Sequence, residues 1–292
     1  MRISTAGFKD LNLALIPRRS HSDKYSNGRV LVIGGSADFH GAPALSYSAA
    51  YAMLSAMRTG AGYVSAFVPR SALMANRSVS PCVIVRPFRS NILSKADLKQ
   101  IFEHAGRSDS IVIGPGLGRR ANSINAAKSI IKHCVKMNKI VIVDADAIDS
   151  GANLEELCKN VVFTPNRIEF EREFGAVPKN KAKAIKKVED TANKMNACIM
   201  LKGHETIISN GTSTKIVRSK SAALATMGTG DVLSGIIGGL SAINKDGFVS
   251  AVAGAYLHAM IGDILHKKFG DHITPMDLVE RIPSALKEMG AN

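Results

Sequence analysis

The residues best placed to do chemistry in this sequence are Gly228-Thr229-Gly230-Asp231. They close a loop of small residues that begins at Leu224 and open an apolar helix that runs through Leu240, with Asp231 at the join. Gly228 and Gly230 permit backbone conformations closed to other residues, so consecutive N–H groups can converge beside those of a helix start. A helix N-terminus carries about half a positive charge, and with a glycine nest it binds a phosphate without help from a lysine. Asp231 would then be a carboxylate beside a bound anion. Helix capping by Asp231 or Thr229 is the plainer role for the same residues.

Other candidates are weaker one by one. Gly114-Pro115-Gly116-Leu117-Gly118 follows a strand and precedes a helix, without the spacing of a dinucleotide fingerprint; it reads as a phosphate loop or a tight turn. Asp144 and Asp146, two apart at a strand end, face the same side and could serve Mg²⁺ or its water. Capping of the segment that follows is the favoured reading for them. Lys202 at another strand end could answer a phosphate charge or be simply solvated. No Walker phosphate-binding motif occurs. His258 and His266, eight apart on one helix, read as packing or surface residues rather than metal ligands. Cys82, Cys134, Cys158 and Cys198 form no close pair and read as buried reduced thiols.

These residues need a scaffold, and the hydrophobic pattern supplies one. Val30 to Ile33, Tyr63 to Val68, Ser110 to Ile113, Ile140 to Val143, Val161 to Thr164 and Cys198 to Leu201 read as strands. Helices alternate with them: Leu45 to Thr59, Ser123 to Met137, an acidic one around Glu169 to Phe174, and a lysine-rich one after it. Asn210-Gly211 predicts a hairpin between Thr206–Ser209 and Ser213–Val217. From Gly228 the chain reads as helical, over Asp231 to Ile243, Phe248 to Lys268 and a short piece after Pro275. The alternation predicts an α/β fold: a doubly wound, mostly parallel central sheet with helices on both faces and a terminal antiparallel hairpin. Ligands of such sheets sit beyond the carboxyl ends of the strands, where every suggestive loop above falls.

With 292 residues, 46% of them hydrophobic, the chain suits one large α/β domain or two small ones. No repeat or linker divides it, so the expected organisation is an N-terminal segment, residues 1–26, and a single domain over residues 27–292. No charge-free apolar run reaches the roughly 18 residues needed to span a bilayer, and the first residues lack a secretory pattern; a cytosolic protein without a membrane partner is expected. The net charge of +14 raises the question of nucleic acid. The basic residues are spread along the chain and only 5% of residues are aromatic, which favours a solvated basic surface over a nucleic-acid groove.

Taken together, the loops resemble the ribokinase-like superfamily and, within it, the ADP/ATP-dependent NAD(P)H-hydrate dehydratases. The resemblance runs from about Ile16 to Leu286. It is carried by Asn27 to Gly35, His40-Gly41-Ala42-Pro43, Ile113 to Gly118, Val143 to Ala147, Thr164-Pro165-Asn166-Arg167-Ile168-Glu169, Leu201 to Thr206, and Gly228 to Gly235. It implies that Ala42, together with Gly114 and Gly116 of the Gly114 to Gly118 loop, touches the hydrated cofactor. It also implies that Lys202, Gly203, His204, Glu205 and Thr206 hold the nucleotide together with Gly228, Thr229 and Gly230, and that Asp231 stands next to the substrate as the base. Many bacterial members carry a His where this chain has Asn166, so Asn166 would make that substrate contact.

The implied reaction phosphorylates the C6 hydroxyl of NADHX or NADPHX, using ADP or ATP, and eliminates phosphate. The loop suits it, because a carboxylate beside an anion hole can activate the hydroxyl while the N–H cluster stabilises the transferring charge. Mg²⁺ is expected from phosphoryl transfer rather than from a ligand motif. The resemblance also implies a homo-oligomer, such as a tetramer, and a separate NAD(P)HX epimerase, because too few residues precede the first strand to form one. The alternative within the superfamily is a kinase acting on a vitamin-like alcohol.

Overall fold

The computed structural model describes residues 2–36, 48–150 and 159–290. In chain order its elements are β1 (Arg2–Thr5), α1 (Phe8–Ala14), β2 (Arg29–Ile33), α2 (Ser48–Arg58), β3 (Tyr63–Val68), α3 (Leu73–Val79), β4 (Ile84–Pro87), α4 (Leu98–Arg107), β5 (Ser110–Ile113), α5 (Ala121–Lys136), β6 (Ile140–Val143), β7 (Val161–Phe163), α6 (Arg167–Phe174), α7 (Lys181–Met195), β8 (Cys198–Leu201), β9 (Glu205–Ser209), β10 (Ser213–Arg218), α8 (Thr229–Asn244), α9 (Gly247–Phe269) and α10 (Pro275–Glu288).

The strands form a ten-stranded sheet in the order β1-β10-β9-β8-β7-β6-β5-β2-β3-β4, in which β9 alone runs against the rest. Its centre is built from β-branched runs buried on both faces, as a parallel sheet covered by helices requires: Val30 to Ile33, Ile111 to Ile113 and Ile140 to Val143. One face of the sheet packs on α4, α5 and α7 through residues such as Ile101, Ile130 and Val188. The other packs on α2, α8 and α9 through Met53, Ile237 and Ala255.

The predicted hairpin is β9–β10, but it does not end the sheet. Residues 1–26, set apart in sequence as an N-terminal segment, send β1 alongside β10 and place α1 against α9. The piece after Pro275 is a helix of 14 residues, longer than expected, started by Thr274, which accepts from the Asp277 N–H, and by Pro275 in the first turn. α9, 23 residues, is long and apolar enough to cross a membrane. Here it is a core helix, with Ala251, Ala255, Leu257 and Ile261 buried against α8, α1 and α10. The lysine-rich helix α7 exposes Lys181, Lys183 and Lys186 and buries Ala184, Ile185 and Val188. Cys134 and Cys198 are buried and Cys82 is exposed, contrary to the expectation for the latter; Cys158 lies outside the described residues.

The direction of α8 matters most for the site. Gly28, at the start of β2, abuts Ala242 in the last turns of α8, and Gly238 packs on Val112 in mid-sheet. The helix therefore runs antiparallel to the central strands, and its N-terminus arrives at their carboxyl ends. Small residues allow this close approach: a Cβ on Gly235 would lie 2.3 Å from the Ala52 carbonyl oxygen, and one on Gly239 would lie 1.9 Å from the Thr59 hydroxyl. The glycine stripe of residues 235–254 thus packs helices within the chain.

Candidate active site

The sheet reverses its winding between β2 and β5: β3 and β4 are added on one side, β6, β7 and β8 on the other. Beyond the carboxyl ends of strands at such a switch point lies the crevice where open α/β sheets bind ligands. The loops after β2 and β5 meet there. Gly35 N–H donates to the Pro115 carbonyl at 2.8 Å, and a Cβ on Gly34 would fall 2.4 Å from the same oxygen. Gly114 has φ of +125° and lies against the Asp144 carbonyl, where a side chain has no room; Gly116 has φ of +62°.

Gly228 is the N-cap of α8, with φ of +91°. Among the described residues no side chain caps this helix. The Thr229 hydroxyl donates backwards to the carbonyls of Leu224 (2.7 Å) and Thr226 (2.8 Å), which fixes the turn and leaves capping undone. Asp231 sits in the first turn without capping it, so the N–H groups of Gly230 and Asp231 keep the orientation of a helix start with no intrahelical partner. The capping role open to Thr229 and Asp231 in sequence is not the one they take.

Asp231 is half-buried. Burial, with the charge of Asp144 second, pushes its carboxyl up to about 7, against the pull of a hydrogen bond from Ser48 and the charge of Lys202. Asp144 is 1% exposed and accepts from the Thr164 hydroxyl at 2.7 Å and from Lys202 Nζ at 2.9 Å. Asp146 instead accepts from the Gly118 N–H at 2.9 Å and ties the β5 loop to the β6 loop; burial raises its pKa. The favoured expectation that this pair caps the following segment is corrected: one carboxylate holds a lysine and the other holds a glycine loop, because Ala145 between them adopts φ of +48° and sends them apart.

Lys202 is neither solvated nor remote. Its Nζ would stand 3.3 Å from a Cβ on Gly230, which brings the loop after β8 to the first turn of α8. Burial works against its charge, but Asp144, Glu169 and Asp231 outweigh it and raise its pKa. The rest of that loop is more exposed. Gly203 and His204 face solvent, and Thr206 donates to the Gly203 carbonyl at 3.2 Å. Glu205 accepts from Lys181 and Arg218 at 2.6 and 2.7 Å. Asn166 is exposed; its side-chain oxygen accepts from the Glu169 N–H at 2.9 Å as the cap of α6, and Glu169 returns the bond to the Asn166 N–H. Ala42 and the rest of the His40 to Pro43 motif lie outside the described residues.

Sequence reasoning missed His258. It is 8% exposed, a backbone hydrogen bond joins it to Thr229, and burial first of all depresses its pKa to about 4. A neutral imidazole therefore supports the first turn of α8. Its only sequence signal is a His within the apolar stretch that precedes Asp263 of α9. Ser48 and Thr164 likewise gain their importance from contacts alone.

The family model described as NAD(P)H-hydrate dehydratase matches residues 30–284. The chain belongs to the NAD(P)H-hydrate dehydratase family. Among its relatives, the ADP-dependent (S)-NAD(P)H-hydrate dehydratase of Nitrosopumilus maritimus is 37% identical over 96% of this chain and 97% of its own length. The bifunctional NAD(P)H-hydrate repair enzyme of Methanothermobacter thermautotrophicus is 31% identical over 94% of this chain, which spans only 53% of that relative. A solved ribokinase-like superfamily protein of Enterococcus faecalis is 26% identical and matches 100% of this chain and 97% of its own with a TM-score of 0.83. The dehydratase fold expected from sequence is thus the observed one, and the relatives that match this family member over its length are not named as vitamin kinases.

Proposed function

We propose that this chain is an ADP-dependent (S)-NAD(P)H-hydrate dehydratase that returns NADHX or NADPHX to the reduced cofactor. The observation that carries the reading is Asp231, a carboxylate with its pKa raised to about 7, in the uncapped first turn of a helix at the switch point. A base must take a proton from the C6 hydroxyl as that oxygen attacks the terminal phosphoryl group, and a pKa near neutrality suits it. The Gly228 to Gly230 turn stabilises the charge on the transferring group, and Lys202 to Thr206 hold the nucleotide, which leaves shortened by one phosphate. The bond formed is O–P; the C6–O bond then breaks, pushed by the ring nitrogen lone pair, phosphate leaves with that oxygen, and loss of a C5 proton to water restores the double bond. Ala42, Gly114, Gly116 and Asn166 hold the hydrated ring and its nucleotide.

Mg²⁺ is the usual companion of such transfers. Among the described residues no group of three or more metal-ligating side chains comes together, and the Lys202 ammonium already pairs with Asp144 at the crevice; no step is assigned to a protein-bound metal. We further infer a cytosolic homo-oligomer, such as a tetramer, whose residues 27–292 act as one dehydratase domain with the N-terminal segment attached. We also propose a separate epimerase as the partner activity.

The test mixes the protein with hydrated NADH or NADPH, Mg²⁺ and either ADP or ATP, and follows absorbance at 340 nm. A rise with ADP that Asp231→Asn loses supports the proposal; a rise with ATP alone reassigns the donor; no rise with either, from folded protein, overturns it.

A further inference from the structure

The loop after β6 is the middle one of three. In the sheet β6 lies between β5 and β7, so the loop that follows β5 and the helix α6 that follows β7 start about 10 Å apart, with residues 144–150 between them. Ala147 and Ile148, both fully buried, anchor that middle segment in the core. Asp149, 15% exposed at its side chain, divides its two oxygens between two guanidiniums. Its Oδ2 accepts from Arg119 Nε at 2.6 Å, and Arg119 directly follows Gly118 of the β5 loop. Its Oδ1 accepts from Arg172 Nε at 2.8 Å and from Nη2 of the same side chain. Arg172 belongs to α6, a single helix of eight residues, so a hold on it is also a hold on the N-cap, Asn166. Asp146 adds a second tie to the β5 loop through the Gly118 N–H at 2.9 Å. Arg119 is 54% exposed, and an ion pair so open to water does little for stability. What two planar guanidiniums on one carboxylate do fix is distance and direction.

We propose that Asp149 is a positioning residue for the hydrated cofactor: by holding Arg119 and Arg172 on its two oxygens it sets the gap between the β5 loop and α6, the two walls that carry Gly114, Gly116 and Asn166. The proposal rests on the reading above, in which those three residues hold the substrate. The nucleotide is assigned elsewhere, to the loop after β8 and the first turn of α8. Loosening the tie at Asp149 therefore acts on one ligand and spares the other.

The experiment titrates full-length protein with NADPH, followed by its fluorescence, and with ADP by calorimetry, so neither reading needs turnover. Folded Asp149→Ala, which removes both ties, is expected to bind NADPH roughly tenfold more weakly and ADP within a few fold of wild type. At 340 nm its KM for the hydrated cofactor should rise by a similar factor while kcat changes little. Arg119→Gln and Arg172→Gln should each weaken NADPH binding, and neither should add to the effect of Asp149→Ala, because they break the same ties. A folded Asp149→Ala with wild-type affinity for NADPH overturns the proposal, as does an equal loss of NADPH and ADP binding, which marks a general loosening of the fold. Wild type that binds no NADPH overturns it too. If circular dichroism shows Asp149→Ala to be unfolded, Arg119→Gln and Arg172→Gln decide by the same two titrations. Wild type that binds NADPH yet gives no rise at 340 nm would sink the proposed function while the titrations still decide the role of Asp149; an active wild type with unaffected variants sinks this proposal alone, so the two failures are distinguishable.

Discussion

Asp231 shows how burial moves an ordinary carboxyl toward neutral pH. Its acid form persists up to about pH 7 in the folded protein, held there first by burial and then by the charge of Asp144. Dehydration should therefore climb with pH through about 7, and a rate profile from pH 5.5 to 9 reads this limb directly. His258, with its pKa depressed to about 4, stays neutral throughout and adds no second limb. Asp231→Asn should lower turnover by roughly 10²- to 10⁴-fold, the usual share of general-base catalysis, and leave ADP affinity within a few fold. Stability should move the other way. A carboxyl whose folded pKa lies above its unfolded value contributes least once pH has risen past the folded value. Urea unfolding should find Asp231→Asn more stable than wild type above about pH 7, with the gap closing as pH falls toward 4; a gap that widens in acid would show that the carboxyl is not held protonated.

At the scale of elements, α8 delivers the site, and its glycines decide how closely it can lie. Gly235 meets the Ala52 carbonyl of α2 at a distance no Cβ tolerates, so Gly235→Val must push two packed helices apart. A loss of about 1–3 kcal/mol, the common result of overpacking, is expected in chemical unfolding. Activity should fall further than stability, because the N-terminal turn moves with the helix. Gly228→Ala tests the turn itself. Its φ of +91° is strained for any side chain, and the added methyl would lie 2.8 Å from Pro275 Cγ and 3.1 Å from the Tyr51 ring. The expected outcome is weaker nucleotide binding in calorimetry, with secondary structure retained in circular dichroism. The strands and helices that carry these residues were legible because their patterns are local: unbroken β-branched runs for the central strands, Asn-Gly for the hairpin. β1, α1 and β4 were not legible, since four to seven residues at a sheet edge carry too little periodicity to separate from loop.

Across the whole molecule, the edge strand β1 and helix α1 close one end of a ten-stranded sheet. Leu11 of α1 is fully buried between α9 and its neighbours, so Leu11→Ala should cost about 2–5 kcal/mol in urea unfolding although it lies far from the crevice. An unchanged midpoint would mean that the N-terminal residues are not part of the cooperative unit.

What the sequence determined by itself is the order of the central strands and of the helices predicted between them, the edge of the sheet at which the suggestive loops gather, and Asp231 beside a glycine turn at a helix start. Each follows from local rules: hydrophobic period, turn chemistry, and the tendency of glycine-rich loops to lie at strand ends. What only the tertiary structure decided is how those loops act on one another. Asp144 and Asp146 are neighbours in sequence with different partners, Lys202 reaches back 58 residues to Asp144, and His258 meets Thr229 from the next helix. A hydrogen bond or a raised pKa belongs to two groups and the space between them. That space is fixed only when the sheet twists, α8 closes on α2, and distant residues arrive at one crevice.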